Sequence, residues 1–206
     1  MNAQKPGANL VLYSVEPVEP FDHEGQTMPP HVTKYDTMPI PPLDAQTEFI
    51  EAGAIRFGIE FRLLNDAISA ANKLAAARGT DKGTGDLNDR GVSIHIYGTE
   101  HGETLEHLRF DCFDEDPHYH YISWRDKSND MVHLDPVADG DPLQWALGCV
   151  RTRLPQMLER AGATKLAAAV DQREIDAALP RVTEAAYRAR YQYDDQEVLA
   201  NALKPG

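Results

Sequence analysis

The chain has 206 residues, of which 42% are hydrophobic, enough for one core domain with a normally solvated surface but not for two large ones. Its formal charge of -13 repels a phosphate backbone, which argues against nucleic acid and anionic membrane as partners. The start, Met1-Asn-Ala-Gln-Lys-Pro, lacks the apolar stretch of a secretory signal, and no apolar run approaches the roughly 18 residues of a spanning helix, so a cytoplasmic protein is expected.

Eight of the fourteen prolines fall in the first 45 residues. Proline lacks an amide donor and resists helix, so residues 1–46 read as an extended arm ahead of a single domain over 47–206. The arm keeps Leu12, Tyr13, Phe21 and Tyr35, more apolar anchor than a solvating tail needs, and Asn9–Val15 could form a strand within it. Docking of this arm on a larger protein or on a second copy of the chain is the expectation.

From Ile55 to Leu63 the odd positions are apolar and the even ones are Arg56, Gly58, Glu60 and Arg62. Period two over nine residues predicts a strand with one buried face. A helix is expected over 65–78, rich in alanine behind Asn65 and Asp66 and packed on that face, then a glycine-rich loop over 79–90. Strands follow at 92–97, 104–114, 118–124 and 131–134, too closely spaced for helical crossovers, so they form an antiparallel meander. Asp141-Pro142 starts a helix running towards Arg160, with Pro155 predicting a kink or break. Further helical pieces are expected near 172–179, 181–192 and 194–203, separated at Pro180 and at the Asp194-Asp195 pair. The fold class is therefore α+β: an antiparallel sheet packed with helices, an extended proline-rich N-terminal arm and a helical C-terminal third.

Chemistry-bearing residues concentrate in the meander. Strand parity sends Val92, Ile94, Ile96, Leu108, Phe110 and Cys112 to the core and leaves Ser93, His95, His107, Arg109 and Asp111 on the other face. The third meander strand reads either way, with His118, His120 and Trp124 on one side and Tyr119 and Tyr121 on the other. If the tyrosines pack inward, His95, His107, His118, His120 and His133 gather on one face with Arg109 and Asp111.

Two histidines at i and i+2 on a strand point the same way about 6.6–6.8 Å apart, so His118 and His120 can share one ion bound about 2.0–2.1 Å from each nitrogen. His95, His107, His133 or a carboxylate such as Asp111 or Asp114 would complete the set, making a divalent metal ion the cofactor this face could take. Without metal, His118 or His120 could do acid–base work with Asp111 as orienter, and Arg109 could hold an anionic substrate. The stretch 99–141 carries twelve acids against three bases, a field that attracts cations. Cys112 and Cys149 sit in apolar contexts and read as buried thiols, and no nucleophile elbow occurs. Two functions stay open: an acidic accessory or interaction subunit, which is preferred, and a small metal-assisted enzyme working on the histidine face.

Overall fold

A computed structural model of the protein describes residues 32–64, 89–100, 102–194 and 196. The expected helix over 65–78, most of the helical piece over 194–203, most of the loop over 79–90, and the arm anchors Leu12, Tyr13 and Phe21 with the Asn9–Val15 strand lie outside the described residues.

Seven antiparallel strands form one sheet: β1 (Val32–Tyr35), β2 (Glu48–Ala52), β3 (Ile55–Leu64), β4 (Asp89–Glu100), β5 (Glu103–Phe113), β6 (His118–Ser123) and β7 (Ser128–His133), in the spatial order β1-β7-β6-β5-β4-β3-β2. From β2 to β7 neighbours in sequence are neighbours in space, as the short connections require. Two strands exceed the sequence reading. The first, β2, pairs with β3 through a tight turn at Gly53, whose φ of 61° lies in the region that suits glycine. The second, β1, adds the described end of the arm to the sheet edge beside β7.

Four helices lie among the described residues: α1 (Pro136–Asp139), α2 (Pro142–Arg160), α3 (Thr164–Ala169) and α4 (Gln172–Tyr191). Asp141 caps α2 by accepting from Gln144 N at 2.8 Å, with proline at the first helical position. The helix ends in a Schellman closure, Ala163 N donating to Leu158 O at 2.9 Å with Gly162 at φ 86°.

Neither internal proline breaks its helix: the separation expected at Pro180 does not occur, and of the kink or break expected at Pro155 there is no break. At Pro155 the reason is visible: the missing amide frees Arg151 O, and Gln172 Nε2 donates to that carbonyl at 3.0 Å. Pro180 likewise sits inside a continuous α4, where Ile175, Ala178, Val182, Ala185 and Ala186 keep one buried stripe against the sheet. None of these helices is long and apolar enough to cross a membrane.

The core forms between α2–α4 and the face of the sheet that carries Ile50, Ile55, Phe57, Ile59, Val92, Ile94, Ile96, Leu108 and Phe110, all nearly fully buried. Register settles the ambiguous strand. Tyr119 pairs with Phe110 and Tyr121 with Leu108, so both tyrosines share the helix-side face, where Trp145 packs on Tyr119 and Arg160 lies over Tyr121. His118 and His120 therefore take the opposite face, pairing with Asp111 and Arg109. That face is also largely buried, because the segment between β1 and β2 crosses it: Thr37 O accepts from Asn129, Ile40 O accepts from Arg109, and Leu43 N donates to Glu60.

Candidate metal centre

Two cross-strand rows build the polar face. One runs Glu60, Ser93, Asp111, His118, His133; the next runs Gly58, His95, Arg109, His120, Met131. Directly opposed residues in an antiparallel pair have Cβ atoms about 4.5–5.5 Å apart, so each row is a line of touching side chains.

The β2-ward end is a closed ion network. His95 is fully buried, with Nδ1 2.6 Å from Glu106 Oε1 and Nε2 3.3 Å from Glu60 Oε1. Burial works against its charged form, but the two carboxylates outweigh it and hold the imidazole above its ordinary pKa. Glu106 also takes both prongs of Arg109, Nε and Nη2 each at 2.8 Å, while Arg109 Nη1 donates to Ile40 O at 2.7 Å. Burial would raise the Glu106 pKa; the charge and hydrogen bonds of Arg109, with help from His95, lower it instead to about 2.

The other end differs in kind. Asp111, His118 and His120 each offer one ligand atom, and the three atoms lie within 4.8 Å of one another. His118 Nε2 is 3.4 Å and His120 Nε2 is 3.2 Å from the same oxygen, Asp111 Oδ2, while Ser93 Oγ donates to Oδ1. Both far nitrogens are already committed. His118 Nδ1 lies 2.6 Å from the backbone carbonyl of Asp116, which can only accept, so this nitrogen carries the hydrogen. His120 Nδ1 lies 2.9 Å from Asn129 Oδ1, and the amide is fixed that way round because its Nδ2 donates to Thr37 O at 2.7 Å. With both Nδ1 atoms as donors, the neutral imidazoles turn two Nε2 lone pairs towards a carboxylate oxygen. Three acceptors thus converge on one point, and a proton or a metal cation between them relieves the contact.

Protons relieve it in part. Burial disfavours the imidazolium of His118, but the hydrogen bond and charge of Asp111 outweigh burial and raise its pKa. At His120 burial wins and the pKa falls. Asp111, despite complete burial, is held well below the usual carboxylate range by the two histidines and Arg109. A separation of about 3.3 Å is what two donors each about 2.0–2.1 Å from a tetrahedral metal would show, close to the values here.

Of the residues singled out by sequence, Asp111, His118 and His120 come together, with Arg109 and His95 on the same face. His107 takes no part in the cluster. Pairing slips between Ile96 and Tyr97, so that Ile96 faces Leu108 and Tyr97 faces Glu106; this bulge skips His107 and gives the position beside Arg109 to Glu106. His107 is buried, its Nε2 has no hydrogen-bond partner among the described residues, and burial lowers its pKa. His133 lies on the same face opposite His118, bonded through Nδ1 to Asp116 at 2.7 Å. Sequence reasoning missed Glu60 and Glu106 as partners of His95, and Asn129 as the residue orienting His120. Asn129 alternates with Met131 and His133, so parity along β7 was the signal that could have found it.

A seven-stranded antiparallel sheet, with helices on one face and a two-histidine, one-carboxylate cluster in the polar network of the other, defines an α+β domain with a candidate metal centre. Residues 49–186 match the family described as Domain of unknown function (DUF7700), and the chain belongs to that family. The matched span contains all three cluster residues with Ser93 and Asn129; the strap over 36–47 precedes it. The chain matches none of the curated proteins and none of the solved structures compared with it.

Proposed function

We propose that this protein binds one divalent transition-metal ion at Asp111, His118 and His120 and uses it for metal-assisted chemistry on a small molecule. The observation that carries this reading is the convergence of two lone-pair nitrogens on Asp111 Oδ2, with both Nδ1 atoms held by acceptors behind them. That is how proteins orient ligating histidines: the outer hydrogen bond fixes the tautomer and raises the basicity of the inner nitrogen. Two imidazoles and one carboxylate suit zinc or ferrous iron and leave coordination positions open for water or substrate. A metal there would act as a Lewis acid and lower the pKa of bound water, and burial of the surrounding face strengthens both effects.

The reading of the chain as an accessory or interaction subunit rests on the proline-rich arm. It is supported by the exposure of Ile40 and Leu43 on the strap, each 39% exposed, with Tyr35 and Phe49 exposed on the two edge strands. The metal reading accounts for more of the buried chemistry.

Metal content decides it. Wild-type protein purified without chelator, or reconstituted and dialysed, should hold one zinc, iron or manganese ion per chain by elemental analysis. The His118→Ala/His120→Ala protein should hold none, since one carboxylate is too few ligands. Equal metal content in the two proteins would end this reading.

A further inference from the structure

The sequence points to Arg109 as the residue to hold an anionic substrate, but the structure removes it from that role. Its Nε, Nη1 and Nη2 are all bonded, to Glu106 and to Ile40 O, and its side chain is 2% exposed. A second guanidinium lies next to the cluster. Arg62 on β3 places Nε 3.2 Å from Glu60 Oε1 and Nη1 4.0 Å from Asp111 Oδ1, the latter beyond hydrogen-bond reach. Its Nη2 has no partner among the described residues. Across β4 it faces Gly91, which presents no side chain to compete for the guanidinium. Gly91 cannot easily be anything else, because a Cβ there would sit 2.3 Å from Cys112 O.

Charge points the same way. With His95 charged, Glu60, Glu106 and Asp111 are balanced by Arg62, Arg109 and His95, so a divalent ion leaves two net positive charges in a largely buried face. Uncompensated charge in low dielectric calls for a counter-ion, and a small oxyanion supplies it, a phosphoryl dianion more fully than a carboxylate.

We infer that the metal-loaded centre takes a small oxyanion, a carboxylate or a phosphoryl group, with one oxygen on the metal and another held by the free donors of Arg62. This inference rests on the metal-binding reading and names the ligand class of that same centre. Arg62 is then the specificity-determining residue: a planar fork matches two oxygens of a carboxylate or phosphoryl group, which a lysine ammonium does not.

Cobalt(II)-loaded protein tests it, because the visible spectrum reports ligand exchange at the metal separately from total affinity. Wild type, Arg62→Gln and Arg62→Lys are each loaded and checked for one cobalt per chain, then titrated with acetate and, in a second arm, with methylphosphonate. Wild type should change its visible spectrum with at least one anion, and the stronger responder names the group. Binding of that anion should weaken about tenfold or more in Arg62→Gln, the loss of a charge-assisted hydrogen bond, and less in Arg62→Lys. The inference is overturned if neither anion changes the wild-type spectrum, or if Arg62→Gln binds the anion as tightly as wild type. Failure of the wild type to take up cobalt would overturn the metal reading itself, and this inference with it.

Discussion

His95 and His120 flank Arg109 in one cross-strand row, both buried, both beside a carboxylate, and they do opposite things. At His95 every donor has an acceptor: two ring nitrogens meet Glu106 and Glu60, and Glu106 also clamps Arg109. At His120 and His118 the outer nitrogens are satisfied and the inner ones meet an acceptor. A saturated network of fixed charges holds a fold together, whereas an excess of lone pairs at one point favours a proton or a metal cation there. Residue type does not separate the two; the direction of the hydrogens does.

Breaking the saturated end should have the largest effect on stability. Glu106→Gln leaves Arg109 buried without its counter-charge, a change that costs about 3–5 kcal/mol. For a chain of this size that lowers the melting temperature by roughly 10 °C, measurable by calorimetry on metal-free protein. A variant that melts with wild type would mean that the Glu106–Arg109–His95 network contributes nothing to the fold.

The outer hydrogen bond at the other end gives the next largest effect, on metal and not on folding. Asn129→Ala removes the acceptor behind His120 Nδ1 and should weaken metal affinity about 10–100-fold. Competition with a chromophoric chelator measures this. Unchanged affinity would show that the tautomer of His120 is not what prepares the centre.

pH sharpens the contrast more gently, through His95 and the groups facing it: Glu60, Glu106, Arg62 and Arg109. Glu106 has its pKa lowered from 4.5 to about 2, so its contribution is complete above 4.5 and is lost as pH falls through about 2. His95 has its pKa raised from 6.5, so its contribution is complete below 6.5 and is lost as pH rises through the higher folded value. Through these two groups metal-free protein should lose stability as pH falls towards 2 and as it rises beyond 6.5, while His107 and His120, whose pKa values burial lowers, take stability away as pH falls below 6.5. Melting temperatures in chelator from pH 2 to 9 would show it, and a stability rising steadily from pH 6 to 9 would count against a charged His95.

Much of this was legible because period-two alternation is a local signal. Strand β3 and the four meander strands follow from it, as does the grouping of Asp111 with His118 and His120 once the tyrosines face the helices. What was not legible depended on long-range pairing. The β2 and β1 strands are short and carry little alternation, and Pro155 is tolerated only because Gln172, seventeen residues on, meets the orphan carbonyl. The site's electrostatics were equally hidden, since whether Arg109 has donors to spare depends on where Glu106 falls.

The bulge in β5 that sets Glu106 there also inverts the usual ranking of what a protein can lose. The ladder pairs Ile96 with Leu108 and Tyr97 with Glu106, so residue 107 is supernumerary to it. A chain shortened by that one residue would keep each of those partners opposite the other, whereas a deletion further along the strand, at Phe110 for example, would slide one part of it past its mate and turn its side chains to the wrong face. Buried and aromatic, His107 has the look of an indispensable residue, yet it is the one length change this strand is built to absorb.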